Sequence, residues 1–118
     1  MVDNIRRGDI VYIDLGYQEG SVQSGKRPCL VVSNDRSNRA SEIVNVIPLS
    51  SKLKNNPVHV TIYPEDVRGH LECVSHALVE QVVTKSKKTV LQKVGHIATD
   101  SSVMEAVIEA MILQMKLA

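Results

Sequence analysis

The chain has 118 residues and a mass of 13.0 kDa, and 43% of its residues are hydrophobic while 23% are charged. These values are typical of a globular protein and exclude a disordered one, so we expect a single domain over residues 1–118. Fourteen Lys and Arg against thirteen Asp and Glu give a net charge of +1, and neither Trp nor Phe is present. Taken alone, both features argue against nucleic-acid binding, because basic side chains bind phosphates and aromatic ones stack on bases.

Membrane and secreted proteins are excluded by the same inspection. The longest apolar runs span four or five residues, whereas a membrane helix needs about 20. The N-terminal residues lack the apolar segment of a secretory signal. Two cysteines, Cys29 and Cys73, do not make a disulfide framework. We therefore expect a cytoplasmic protein with reduced thiols and no membrane partner.

The apolar residues predict a strand-rich fold. Eighteen Val and nine Ile stand against nine Leu, and β-branched residues favour strands. The run 29–32 lacks alternation, which indicates burial on both faces, whereas 58–62 alternates cleanly. Short strands separated by Gly, Asn and Pro turns predict a small barrel or a strongly bent sheet. Six strands are expected, at residues 9–15, 28–34, 43–49, 58–62, 76–84 and 90–97.

The C-terminal segment is predicted to be one long helix. Residues 100–117 contain neither Gly nor Pro. Ser102 and Glu105 have capping-box spacing, and Asp100 or Thr99 is the alternative N-cap. A wide apolar face for the core or an interface is expected from residues at helical spacing, namely Val103, Val107, Ile108, Met111, Ile112 and Met115.

The near-zero net charge conceals an uneven distribution. Residues 26–54 hold six basic side chains against two acids, a local +4, and residues 84–94 hold four lysines and no acid, another +4. Residues 100–117 hold three acids against one lysine, a local −2. The basic residues therefore concentrate in segments that connect strands, where binding surfaces form, although Lys85–Lys88 also fits a solvated loop. Arg27 precedes Pro28, so it is held in extended geometry at the mouth of a buried strand, a position suited to a phosphate.

Several stretches together resemble the MazF/PemK toxin family. The family pattern is carried by residues 7–15 (RGDIVYIDL), 20–28 (GSVQSGKRP), 31–35 (VVSND), 48–51 (PLSS), 59–60 (HV) and 80–81 (EQ). The resemblance implies an SH3-like antiparallel barrel with a long C-terminal helix, hence a β-rich α+β fold. It also implies a homodimeric, metal-independent endoribonuclease that cleaves single-stranded RNA, often mRNA, to 2′,3′-cyclic phosphate and 5′-hydroxyl ends. A cognate antitoxin protein inhibits such toxins.

The resemblance also implies the site residues. Arg27 matches the catalytic arginine, which binds the phosphate and stabilises its transition state, and Ser50 stands where relatives usually have a catalytic threonine. The residues expected to contact RNA are Tyr17, Ser21, Gln23, Lys26, Ser51, Lys52 and Gln81. Many relatives have glutamate where this chain has Val22, so any role of that carboxylate is lost here. Val83 likewise replaces a residue that is often basic, which affects base recognition.

Structural roles for the same residues compete with these assignments. Arg27 also fits an ion pair with an acid such as Asp14. Ser50 also fits the start of a turn with Ser51. The side chains of Ser21 and Gln23 could hold their loop by hydrogen bonds, and the ring of Tyr17 could pack over that loop instead of stacking on a base.

Other kinds of protein compete as well. His70, Cys73 and His76 have short metal-ligand spacing, but a structural zinc ion needs four ligands. We favour no metal and expect one loop histidine, one exposed strand histidine and a small thiol. At the level of the whole chain, the alternatives are a CcdB-like poison of DNA gyrase and a non-catalytic RNA-binding barrel. Against the gyrase alternative, this chain has no Trp and so lacks the C-terminal Trp-Gly-Ile sequence through which such proteins act.

Overall fold

The computed structural model describes residues 2–116 and consists of eight strands, two α-helices and three short 3-10 turns. The strands are β1 (Asp9–Asp14), β2 (Lys26–Val31), β3 (Ile43–Ser50), β4 (His59–Ile62), β5 (Arg68–Gly69), β6 (Ser75–Leu78), β7 (Val83–Ser86) and β8 (Val90–His96). The helices are α1 (Asp35–Ala40) and α2 (Ser102–Met115), and the 3-10 turns are Pro64–Asp66, Val79–Gln81 and Lys87–Thr89. Neither α-helix has the length and hydrophobicity needed to span a bilayer.

The strands form one antiparallel, strongly bent sheet. Its order is β4-β6-β3-β2-β1-β8-β5, and β7 pairs with the first half of β3. Strand β3 changes partner along its length, pairing with β7 up to Val46 and with β6 from Leu49. Pro48 lies at this change, where a residue without an N–H is tolerated. The result is a half-barrel with a C-terminal helix, which confirms the predicted fold class.

Two hydrophobic clusters cover the two faces of the central strands. Ile10 and Leu30 belong to the cluster beneath α2, whereas their neighbours Val11 and Cys29 belong to a second cluster on the opposite face. All four side chains are fully buried. Since successive strand residues point to opposite faces, the uninterrupted apolar run in β2 is explained by burial on both sides, as the sequence predicted.

Helix α2 begins close to its predicted start, and the face that it buries overlaps the predicted one, since Val107 is buried and Val103 and Met111 pack against the core. The N-cap is Ser101, whose side chain accepts a hydrogen bond from the Met104 amide, so the three predicted caps were wrong by one or two residues. The buried positions are Met104, Val107 and Ala110, whereas the predicted Ile112 and Met115 are more than half exposed. Residues 112–116 of this helix end are all exposed. The predicted end at residue 117 lies outside the described residues.

The predicted strand at 76–84 is divided in two. Strand β6 ends at Leu78, the 3-10 turn Val79–Gln81 follows, and β7 begins at Val83. The polar residues Glu80 and Gln81 lie in this turn and are not part of a strand. Each of these side chains forms hydrogen bonds with a distant loop, which no local pattern indicates.

Helix α1 was not predicted, because its six residues carry no apolar periodicity. The Asn34 side chain caps it by accepting a hydrogen bond from the Ser37 amide at 2.9 Å. Asp35 accepts a bond from the distant Arg7 amide at 2.7 Å, and this bond lowers the pKa of the carboxyl group. Tertiary hydrogen bonds thus stabilise a helix that is too short to form alone.

Candidate functional site

Arg27 and Ser50 line one cleft, which we call the Arg27–Ser50 cleft. Strands β2 and β3 pair with Cys29 opposite Pro48, and extending this antiparallel register by two residues on each strand places Arg27 opposite Ser50. Both residues lie on the same sheet face, since side chains two apart point the same way. The cleft has a volume of about 210 Å³ and is lined by Gln23, Arg27, Ser50, Ser51, Lys52 and Lys54.

The Arg27 side chain is held by one hydrogen bond and is not part of an ion pair. Its Nε donates to the Ser24 carbonyl at 2.9 Å. Within residues 2–116, no carboxylate oxygen lies within 4.0 Å of the guanidinium; the carboxylate of Asp14, the suspected partner, accepts from the Gly16 amide at 2.9 Å. The two terminal nitrogens of Arg27 are therefore available for a bidentate contact with an anion.

Ser50 combines burial with a position at the cleft. Only 5% of the residue is exposed. Its hydroxyl oxygen accepts a hydrogen bond from the Lys52 amide at 3.2 Å, so Ser50 does start a turn, as the structural alternative expected. Accepting this bond leaves the hydroxyl proton available to donate. The turn and a contact with a phosphate oxygen are thus compatible.

The cleft has a strongly positive lining. Three of its six residues, Arg27, Lys52 and Lys54, are cationic and none is acidic. The Arg27 cation also acts on the buried thiol of Cys29. Burial raises the pKa of this thiol to about 12, while the positive charges of Arg27 and of Lys85, which lies outside the cleft, lower it. A polyanion is the chemical class of ligand that such a lining favours.

The structure brings together some of the predicted RNA-binding residues and not others. Gln23, Ser51 and Lys52 line the cleft with the two catalytic candidates, and the sequence reasoning missed Lys54, although it counted that lysine in the basic segment 26–54. The residues outside the cleft lining are Tyr17, Ser21, Lys26 and Gln81.

The loop between β1 and β2 carries three of the predicted RNA-binding residues, Tyr17, Ser21 and Gln23. Tyr17 is 85% exposed, so its ring does not pack over the loop. The loop is held through backbone atoms, since the Gln81 side chain accepts from the Gln23 amide and donates to the Ser21 carbonyl. The side chains of Ser21 and Gln23 are thus not the groups that hold it.

A second cleft of about 200 Å³ adjoins the first. Arg27 and Ser51 line both clefts, and the second continues past Leu71 and Cys73. Arg27 therefore lies between two concave surfaces.

The suspected metal ligands serve other purposes. His76 is 8% exposed, and its Nδ1 lies 3.2 Å from the Thr61 hydroxyl, so the expectation of an exposed strand histidine was wrong. Cys73 is exposed. No group of three His, Cys, Asp or Glu side chains placed to hold a metal ion is found within residues 2–116.

Comparisons with known proteins agree with the motifs. A family model described as PemK-like, MazF-like toxin of type II toxin-antitoxin system matches residues 6–115. Endoribonuclease EndoA of Bacillus subtilis (strain 168) is 36% identical over 116 residues, which cover 97% of this chain and 95% of that protein.

Solved structures share the fold at lower identity. An endoribonuclease in complex with its cognate antitoxin from Mycobacterial species superimposes with a TM-score of 0.79 at 23% identity, covering 98% of both chains. MazF from Deinococcus radiodurans gives a TM-score of 0.74 at 23% identity, covering 94% of this chain and 97% of that one. These likenesses extend over the half-barrel and the C-terminal helix.

Proposed function

Since the chain belongs to the PemK-like, MazF-like family of type II toxins, we propose that it is an endoribonuclease toxin that cleaves single-stranded RNA, chiefly mRNA, at short sequences and without a metal. The proposal agrees with the name of the Bacillus relative. The observation that carries it is the cleft in which a guanidinium free of carboxylate partners and the Ser50 hydroxyl line one cationic surface. That surface is suited to a scissile phosphate.

RNA brings its own nucleophile to this cleft. The 2′-oxygen beside the scissile phosphate forms a bond to phosphorus while the bond to the 5′-oxygen breaks. One proton leaves the 2′-hydroxyl and one reaches the 5′-oxygen, which yields a 2′,3′-cyclic phosphate and a 5′-hydroxyl. The phosphorane-like transition state carries extra negative charge, and groups placed in advance to receive that charge lower its energy.

Arg27 and Ser50 are the residues that we assign to this task. The Arg27 guanidinium pairs with two phosphate oxygens. This interaction becomes stronger when the phosphorane forms, because the oxygens then carry more negative charge. The Ser50 hydroxyl donates to a further phosphate oxygen. We assign Arg27 an electrostatic role, because a guanidinium offers N–H donors and no acceptor. Val22 is 53% exposed in the β1–β2 loop, and the proposal assigns it no chemistry.

The remaining RNA contacts are assigned to the loops and the basic segments. Gln23, Ser51 and Lys52 line the same cleft, and Tyr17 is exposed enough to stack on a base. Lys26 and Ser21 lie on exposed surface beside it. Phosphate contacts and hydrogen bonds thus supply most of the binding, since the chain has three tyrosines and neither Trp nor Phe.

We also propose the biological setting that the family implies. The chain is one toxin domain, acts in the cytoplasm as a homodimer and is inhibited by a cognate antitoxin. Exposed Ile112, Leu113 and Met115 on the last turns of α2 support a dimer, because their apolar surface is uncovered in the single chain. Light scattering of the purified protein at micromolar concentration tests the dimer directly.

The activity is tested by incubating the purified protein with a diverse pool of single-stranded RNAs in EDTA and mapping the 5′ ends of the fragments. We expect cuts at one short sequence, 5′-hydroxyl ends and cyclic phosphates detectable by mass spectrometry. Intact RNA at stoichiometric protein would refute the endoribonuclease. Salt-sensitive binding without products would identify a non-catalytic RNA-binding barrel, and gyrase inhibition without cleavage would identify a gyrase poison.

A further inference from the structure

The 3-10 turn Val79–Gln81 contacts both loops that border the Arg27–Ser50 cleft. One is the β1–β2 loop (residues 15–25) and the other is the β3–β4 loop (residues 51–58). The turn itself is well anchored, since Val79 is 1% exposed and its carbonyl accepts a bond from the Val82 amide at 3.2 Å. Consecutive residues of this turn bind one loop each.

Gln81 binds the β1–β2 loop through both ends of its amide group. Its Oε1 accepts from the Gln23 amide at 2.8 Å, and its Nε2 donates to the Ser21 carbonyl at 3.0 Å. Among the described residues, these are the hydrogen bonds that connect residues 17–23 with anything beyond their own loop. Gly16, Gly20 and Gly25 all have positive φ, and because glycine has more conformational freedom than other residues, the Gln81 contacts restrict a backbone that has much freedom to lose.

The contact continues from Gln81 to the catalytic candidate. Gln23, whose amide Gln81 binds, is followed by Ser24, and the Ser24 carbonyl accepts the bond from Arg27 Nε. Gln23 itself lines the cleft. The position of the loop therefore sets the orientation of the guanidinium, although Gln81 is 54 residues away from Arg27 in sequence.

Glu80 acts in the same way on the β3–β4 loop. Its carboxylate accepts from Asn56 Nδ2 at 3.3 Å and contacts His59 Nε2 at 2.8 Å, within a pocket where the His59 side chain is 7% exposed. Asn56 in turn accepts from the Val58 amide through its side chain and donates its own amide to the carbonyl of Lys54, a residue of the cleft.

We propose that Glu80 and Gln81 are positioning residues, which hold the two loops so that Arg27 and Lys54 face the same phosphate. This inference rests on the proposed function and reassigns Gln81 from direct RNA contact to control of the β1–β2 loop. Because each side chain holds a different loop, its removal loosens one loop and leaves the other in place.

Amide hydrogen exchange in the absence of RNA tests the loop contacts separately from activity. In Gln81→Ala, exchange of the Gln23 amide rises fivefold to tenfold, as expected for one lost hydrogen bond, while the Val58 amide is unaffected. In Glu80→Ala, the Val58 amide exchanges faster and the Gln23 amide does not. Gln92→Ala, at an exposed position on β8, is the matched control. Unchanged exchange at Gln23 in Gln81→Ala would overturn the proposal.

Cleavage kinetics of the same variants test the consequence. We expect Gln81→Ala to lower kcat about tenfold at an unchanged cut sequence, with partial recovery in Gln81→Asn, which keeps a shorter amide. A changed cut sequence with unchanged exchange would show that Gln81 reads a base and would overturn the proposal. Faster exchange with an unchanged kcat would overturn the link to Arg27. If the wild type cuts no RNA while exchange responds as stated, the proposed function fails and the loop contacts stand.

Discussion

Replacement of Arg27 by alanine is the most direct test of the site. Of the five N–H donors of this guanidinium, the one on Nε is engaged with the Ser24 carbonyl, which leaves four on the two terminal nitrogens. Two of them make a bidentate pair with the phosphate, and each charge-assisted bond contributes about 2 kcal/mol in the transition state. The sum of about 4 kcal/mol corresponds to a roughly 10³-fold lower kcat.

Two further variants separate charge from geometry. Arg27→Lys keeps the positive charge but loses the planar pair of donors, so we expect a loss of about 10²-fold. Arg36→Ala removes a similar side chain from an exposed position on α1, and its rate should stay within about twofold of the wild type, since surface changes of this kind are close to neutral.

The assay is single-turnover cleavage of an RNA that contains the mapped sequence. Thermal unfolding of each variant is measured beside it, because Arg27→Ala also loses the bond to Ser24, which contributes about 1–2 kcal/mol to stability. A folded Arg27→Ala protein that cleaves at a rate within tenfold of the wild type would refute the assignment of Arg27 to transition-state stabilisation.

Three smaller predictions follow from the same geometry. Ser50→Ala should lower kcat about 10-fold to 100-fold, less than the arginine variant, because one neutral donor is lost. An unchanged cleavage rate would show that Ser50 only stabilises the turn. Gly8→Ala should lower the free energy of unfolding in urea by about 3 kcal/mol or more, because φ is +94° and a Cβ would overlap a backbone carbonyl. Gly16 has φ of +71° but open space where a Cβ would lie, so Gly16→Ala should lower the free energy of unfolding by about 1 kcal/mol. Equal losses in the two variants would contradict the steric overlap expected at Gly8. Native protein should expose one reactive thiol to a disulfide reagent at pH 8, that of Cys73, because burial raises the pKa of Cys29 to about 12; reaction of both thiols before unfolding would contradict this.

Local patterns predicted the sheet well because the constraint on each strand is local. The apolar side chains of an uninterrupted run such as 29–32 point to both faces of the strand, so they are all shielded from water only if both faces are covered. The two hydrophobic clusters cover them. The helix at the C-terminus was predicted for the same reason, since its apolar spacing has no strand equivalent. Its cap was misplaced by one or two residues because four neighbouring side chains can each accept the same kind of bond, and only packing selects Ser101.

Motifs selected two catalytic candidates that line one cleft, but they did not indicate the full lining of that cleft. Arg27 and Ser50 stand in recognisable stretches, and the antiparallel pairing of their strands brings them together. Lys54 was missed because it lies in a loop, where no periodicity relates a residue to a surface.

The sequence by itself determined the strands that are buried on both faces and the final helix, and the family resemblance selected Arg27 and Ser50 as catalytic candidates. The basic residues of 84–94, expected in a connecting segment, lie partly in strands β7 and β8. The strands and the helix follow from residue type and spacing, which act over a few positions. Only the tertiary structure decided that 76–84 is two strands joined by a turn, and that Gln81 binds a loop instead of lining the cleft. The reason is that these outcomes depend on hydrogen bonds between residues 24 to 60 positions apart. Such residues come together only when the sheet bends. The net charge of +1 likewise concealed a cationic cleft that folding assembles from separate segments.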